Sequence, residues 1–99
     1  ERSPEDRERV ENELASMSLY HYSSCPFCIK VRRAISRLGL EMELRDIQRD
    51  RNHFQDLVAG GGKKTVPCLR IESQEAGVEE VSWMYESADI IRFLEERYA

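Results

Sequence analysis

Cys25 and Cys28 enclose Pro26 and Phe27 in a Cys-Pro-Phe-Cys run. Thiols at that spacing can close a disulfide, exchange it with another thiol, or form half of a zinc site. Placement selects among these chemistries. A β-prone run at residues 19–22 is broken by Ser23-Ser24, and Pro26 suits the first position of a helix. The first turn of a helix offers unpaired N–H groups and the positive end of the macrodipole. A thiol placed there ionises readily, its pKa falling from ~8.5 to about 3.5–7.5. Cys25, just ahead of the helix, is expected to be exposed and to be the attacking sulfur. Cys28, one turn inside, is expected to be more buried and to resolve the intermediate. These two are the expected catalytic residues.

A lowered pKa acts on both halves of the exchange. With a Cys25 pKa of about 5, the thiolate fraction at neutrality rises about 30-fold. Intrinsic nucleophilicity falls about 40-fold at a Brønsted slope near ~0.45, so attack nearly breaks even while departure gains. The site therefore favours steps in which Cys25 leaves, such as attack by a free thiol on a Cys25 mixed disulfide.

Zinc would need Cys68 and either His21 or His53 in addition, because the chain has no second Cys-x-x-Cys pair. Cys68 alone reads as a small buried hydrophobe, and the histidines as surface or packing residues. No metal ligand is assigned.

The elements that position the dithiol follow from periodicity. Residues 1–16 are highly charged but carry helix grammar, with Ser3 as cap, Pro4 first, and Glu5 and Asp6 in the opening turn. Val10, Leu14 and Met17 make a thin apolar stripe, so the segment is either a short helix on the domain or a solvated linker. Phe27, Val31, Ala34, Ile35 and Leu38 recur at helical spacing over residues 26–38, and Gly39 ends that helix. Residues 40–47 alternate as a strand. Residues 50–58 form a helix ended by Ala59-Gly60-Gly61-Gly62. Residues 66–71 and 81–85 form a hairpin of strands, and Ser87 caps a last helix with Ile90, Ile91, Leu94 and Tyr98 inside. The first strand–helix–strand unit implies a right-handed parallel crossover. The predicted architecture is α/β: a mixed four-stranded sheet with helices on both faces and an N-terminal helical extension. Residues 1–17 are the extension and 18–99 the domain.

With 99 residues the chain is one domain's worth, and 40% apolar residues suffice for one core. No apolar run approaches a membrane span and no signal-peptide core is visible. A formal charge of −4 argues against a dedicated nucleic-acid binder. Three cysteines are too few, and odd in number, for a disulfide-stapled secreted scaffold. The chain opens at Glu1 rather than methionine, which reads as a fragment. The expected location is the cytoplasm, with an upstream membrane anchor left open.

Cys25-Pro26-Phe27-Cys28 after Leu19-Tyr20-His21-Tyr22, then Thr65-Val66-Pro67, then Tyr85-Glu86-Ser87-Ala88-Asp89-Ile90-Ile91, together resemble the glutaredoxin family. The chain most resembles the branch similar to the N-terminal domain of glutathione transferases, over residues 18–98. The resemblance implies a thioredoxin-like fold and a glutathione-dependent reductase of protein disulfides and glutathione mixed disulfides. It makes Cys25 the nucleophile, Cys28 the resolving cysteine and Pro67 a cis-proline facing them. It implies that Phe27, Lys64, Thr65, Val66, Pro67, Glu86 and Ser87 bind glutathione. Val66 would pair with the cysteinyl backbone, Glu86-Ser87 would hold the γ-glutamyl group, and Lys64 would meet the glycyl carboxylate. Three departures stand out. Tyr22-Ser23-Ser24 replaces a frequent lysine, Met84-Tyr85-Glu86-Ser87 replaces a frequent Gly-Gly turn, and Phe27 replaces tyrosine. The chain ends at Ala99, before any all-helical second domain, so reductase rather than transferase chemistry is expected.

Glutathione is thus the expected co-substrate, disulfide or glutathionylated proteins the expected partners, and a monomer the expected state. Two other classes compete. One is a module that binds an iron–sulfur cluster through Cys25 and glutathione. The other is a non-catalytic docking domain.

Overall fold

The computed structural model describes residues 2–99. Glu1, part of the expected N-terminal helix, lies outside them. Helix α1 spans Pro4–Leu14, with the Ser3 hydroxyl accepting the Asp6 N–H at 3.2 Å and Glu5 and Asp6 in the first turn. It is a docked helix and not a solvated linker. Val10 and Leu14 are buried in the main core, and Tyr98 donates from its hydroxyl to Glu13 at 2.8 Å. Arg2 ties the start of the chain to its end by donating to the Tyr98 carbonyl at 2.6 Å. Met17, expected on the helical stripe, instead opens the first strand, β1, Met17–His21.

Helix α2 runs Pro26–Arg37 and ends in a Schellman turn. Gly39 takes φ 68° and donates to Ser36, while Leu40 donates to the Ile35 carbonyl at 3.0 Å. Those bonds claim the backbone of residues 39 and 40 for the helix end. The second strand, β2, is therefore only Glu43–Asp46 and does not start at Leu40. Helix α3, Arg51–Asp56, is capped by Asp50, whose side chain accepts from Asn52 N–H at 2.9 Å.

The chain does not stop at the glycines after α3, as the sequence predicts. It continues as a wider π-type turn, Leu57–Gly61. The reason lies across the sheet. A Cβ on Gly60 would collide with the Trp83 ring, and one on Gly61 with the Tyr85 hydroxyl. The missing side chains let this turn lie directly on β4, Val81–Tyr85. Strand β3 is Cys68–Glu72, two residues later than predicted at its start, because Pro67 has no N–H to contribute to a ladder. Helix α4, Ser87–Tyr98, completes the chain.

The sheet order is β2-β1-β3-β4. β1 pairs with β2 in parallel, and the other two pairings are antiparallel. Alternation along the strands feeds two faces. Met17, Leu19, Leu69 and Met84 face α1, α2 and α4 in the larger core, with Val31, Ile35, Ile90 and Leu94. Tyr20, Cys68, Trp83 and Tyr85 face the other way, onto Leu57. Helices thus cover both faces, as in thioredoxin-like folds.

Two stability outcomes follow. Leu14→Ala, measured by urea unfolding, should cost about 2–5 kcal/mol, as expected for a core leucine. A loosely attached α1 would give almost none. Gly60→Ala should cost about 1–3 kcal/mol by overpacking against Trp83, and a neutral result would show that the indole simply moves aside.

Candidate functional site

The register brings three separated motifs to one end of the sheet. β1 ends at His21, which pairs with Asp46, the last residue of β2. Antiparallel to it, β3 begins at Cys68, paired with Tyr20 on one side and Tyr85 on the other. The loop to Cys25, the Val66-Pro67 step and the Glu86-Ser87 step therefore all leave the sheet at the same end. The Val66–Pro67 peptide bond is cis, as the resemblance implies.

Cys25 is the N-cap of α2, and its sulfur accepts the Cys28 backbone N–H at 3.4 Å. This contact corrects one expectation. Cys25 is only 4% exposed, because the sulfur turns back over the first helical turn and does not project into solvent. Phe27, by contrast, is 56% exposed at the same helix end. Burial pushes the Cys25 thiol up, but hydrogen bonds from the Cys28 thiol, from the backbone of Cys28 and Phe27, and from the Tyr22 hydroxyl outweigh it. The net effect sets Cys25 below the ordinary thiol value. Cys28 is fully buried, and burial together with its bond to Cys25 pushes it up to about 12. The two sulfurs are thus shifted in opposite directions, Cys25 toward the thiolate and Cys28 toward the thiol.

Arg32 was not singled out in the sequence, and His21 was weighed only as a zinc ligand or a packing residue, yet both buttress this site. Arg32 donates to the Tyr22 carbonyl at 3.3 Å and to the Ser23 carbonyl at 2.9 Å. Its Nη1 also lies 3.0 Å from His21 Nδ1. His21 is buried, and burial followed by the Arg32 charge lowers its pKa. The available signal was spacing: residue 32 is one turn beyond Cys28 and shares its helix face.

The remaining expected residues are distributed around the same end. Lys64 and Thr65 are exposed on the loop before Pro67, Val66 is half-buried, and Pro67 is buried. Val66 precedes the first paired residue of β3. Ser87 does not cap α4, as the sequence predicts. Glu86 occupies the cap position with φ 72°, without a side-chain cap bond, and Ser87 is the first helical residue. The left-handed turn at Glu86 is what swings the chain out of β4 into the helix.

Cys68 does not join the dithiol. Its side chain lies on the opposite sheet face, beside Tyr85. Burial raises the Cys68 thiol to about 11 and the Tyr85 hydroxyl to about 12. Among the described residues, no three His, Cys, Asp or Glu side chains stand close enough to hold a metal ion. No helix among them is long and apolar enough to cross a membrane.

Comparison with known proteins agrees with the fold described above. A probable glutaredoxin of Synechocystis sp. is 30% identical over 64 residues, covering 64% of this chain and 73% of the relative. Glutaredoxin 3 of Escherichia coli is 23% identical over 64 residues, covering 65% of this chain and 77% of its own. Among solved structures, a trimeric glutathione transferase of Leishmania matches 84% of this chain with a TM-score of 0.66 at 22% identity. The chain spans only 18% of that protein. Wheat glutaredoxin matches 91% of this chain and 80% of its own, with a TM-score of 0.57 at 19% identity. These structural likenesses establish the thioredoxin-like fold. The model of the "Glutathione S-transferase, N-terminal domain" matches residues 19–99, and the chain belongs to that family.

Proposed function

We propose that the protein is a glutathione-dependent thiol–disulfide oxidoreductase acting through Cys25 and Cys28. The observation that carries this reading is the dithiol at the mouth of α2, where the Cys25 sulfur caps the helix by accepting the Cys28 N–H at 3.4 Å and Cys28 is fully buried. The likeness to glutaredoxins supports it.

The chemistry balances as successive thiolate displacements. The Cys25 thiolate attacks the glutathione sulfur of a glutathionylated protein. A Cys25–glutathione disulfide forms, and the protein leaves as a thiolate that takes up a proton. A second glutathione thiolate then attacks the bound glutathione sulfur. Glutathione disulfide departs, and Cys25 returns as the thiolate that its hydrogen bonds stabilise. With a protein disulfide, the Cys25 thiolate attacks one of its sulfurs, the S–S bond breaks, the other sulfur leaves as the first protein thiolate, and a mixed disulfide joins Cys25 to the protein. Cys28 then gives up its proton, attacks Cys25 and expels the second protein thiolate.

The raised Cys28 pKa keeps that sulfur protonated until the step in which it attacks, since only the thiolate attacks. Glutathione would lie across the end of the sheet where the three motifs converge. Val66 would pair with its cysteinyl backbone, in the manner of an added strand. The α4 N-terminus at Glu86-Ser87 would face the γ-glutamyl carboxylate. Lys64 would meet the glycyl carboxylate from its exposed loop, Thr65 would line the same approach, and Phe27 would flank the sulfur.

Alkylation by iodoacetamide, followed across pH, should show Cys25 reacting with a midpoint below the ordinary thiol value. Cys28 should stay unmodified at neutrality, and equal reactivity of the two would contradict the assignment. Cys25→Ser should abolish reductase activity in a glutathione-coupled assay, and any retained turnover would overturn the mechanism. Cys28→Ser should keep deglutathionylation while losing most protein-disulfide reduction.

A further inference from the structure

Arg32 lies one turn beyond Cys28 on α2, and every partner of its guanidinium is formally uncharged. None of the ion pairs among the described residues involves it. Its guanidinium is instead spent on two carbonyls and one imidazole. The carbonyls belong to Tyr22 and Ser23, in the loop that delivers Cys25. The Tyr22 carbonyl also accepts the Cys25 backbone N–H at 3.2 Å. Arg32 therefore joins the incoming loop to the helix that carries both sulfurs. Its positive charge, lacking a carboxylate partner, acts on Cys28, one turn away.

Guanidinium has donors only, so the contact with His21 requires Nδ1 to be an acceptor. His21 is therefore neutral, with its proton on Nε2. A protonated imidazole would present N–H to N–H and like charge to like charge. The groups facing His21 are Arg32 from α2 and Asp46 from β2. The Asp46 carboxylate also accepts the Gln48 and Arg49 N–H groups and the Ser23 hydroxyl.

We propose that Arg32 is the positioning residue of the dithiol, locking the loop of residues 21–24 to α2 and supplying the charge that favours the Cys28 thiolate when it attacks Cys25, and that it does so only while His21 is neutral. In that step Cys28 releases its proton to solvent and its sulfur bonds to the Cys25 sulfur. The bond from Cys25 to the departing thiol breaks, and that thiol leaves with the electron pair and is then protonated. This role rests on the oxidoreductase reading. Burial and the Arg32 charge lower the His21 pKa from 6.5, so the arrangement is intact at neutrality and is lost as pH falls through the folded value.

The test isolates the Cys28 step. The chain is loaded with glutathione on Cys25 by glutathione disulfide, free thiol is removed, and glutathione release is followed over time. Cys28→Ser supplies the blank. Arg32→Leu should release glutathione about threefold more slowly, because a rise of about one unit in the Cys28 pKa cuts the thiolate about tenfold while its intrinsic nucleophilicity gains about threefold. Arg32→Lys should recover part of the rate, because it restores the charge but not the fork that reaches both carbonyls.

In the parent chain the logarithm of the release rate should fall with pH as Cys28 protonates, and fall more steeply below the His21 titration. His21→Asn offers an acceptor that does not protonate there, so its profile should keep a single slope. Release from a folded Arg32→Leu chain at the parent rate would overturn the proposal. So would identical slopes for the parent and His21→Asn, which also decides the matter if the Arg32 variants fail to fold. A chain that never takes glutathione on Cys25 would instead sink the oxidoreductase reading itself.

Discussion

The contact between the Cys25 sulfur and the Cys28 N–H is the interaction on which the site turns. It is a helix cap made by a thiol in place of the usual hydroxyl or carboxylate. A neutral thiol accepts weakly, whereas a thiolate accepts strongly and also meets the positive end of α2. Helix capping and thiol ionisation therefore reinforce each other. Because the folded pKa is lowered, the thiolate's contribution to stability is present above the unfolded value and is lost as pH falls through the folded one. Burial opposes the same ionisation. The turned-back sulfur is thus a compromise between a dry position that the cap requires and a charge that the chemistry uses.

The sheet supplies what the cap cannot, a fixed surface facing the sulfurs. Parallel pairing of β1 with β2 and antiparallel pairing of β3 with β1 and β4 put four strand ends at one edge of the molecule. On the core face, α2 and α4 are anchored by Val31, Ile35, Ile90 and Leu94. On the other face, the bare backbone of Gly60 and Gly61 lies on Trp83 and Tyr85. Tyr85 then reaches on to the Lys63 carbonyl at 3.5 Å, with the Lys63 ammonium 5.1 Å from its ring centroid. The glycine-rich stretch is therefore a packed support under the loop that leads to Pro67, and not an open linker.

Charge is used sparingly and locally. Half of the arginines pair with carboxylates among the described residues, as Arg9 does with Asp6 and Arg37 with Glu95 on exposed surfaces. Such pairs contribute little individually. Arg32 differs because its partners are neutral, so its charge is not cancelled where the dithiol sits.

Residue type and spacing alone determined the order of elements from β1 onward, the helix start at Pro26 and the Ser3 cap signal, while leaving the N-terminal segment open between a docked helix and a linker. These are local properties, set by proline, glycine and the periodicity of apolar side chains within a few turns. Tertiary structure alone decided the burial of Cys25, the pairing of Arg32 with His21 and two carbonyls, the left-handed turn at Glu86 and the continuation through Gly61. Each depends on atoms from segments distant in the chain, or on the direction a side chain takes once its neighbours are placed. A linear pattern shows which residues share a helix face, but not which groups from another strand or loop will meet them.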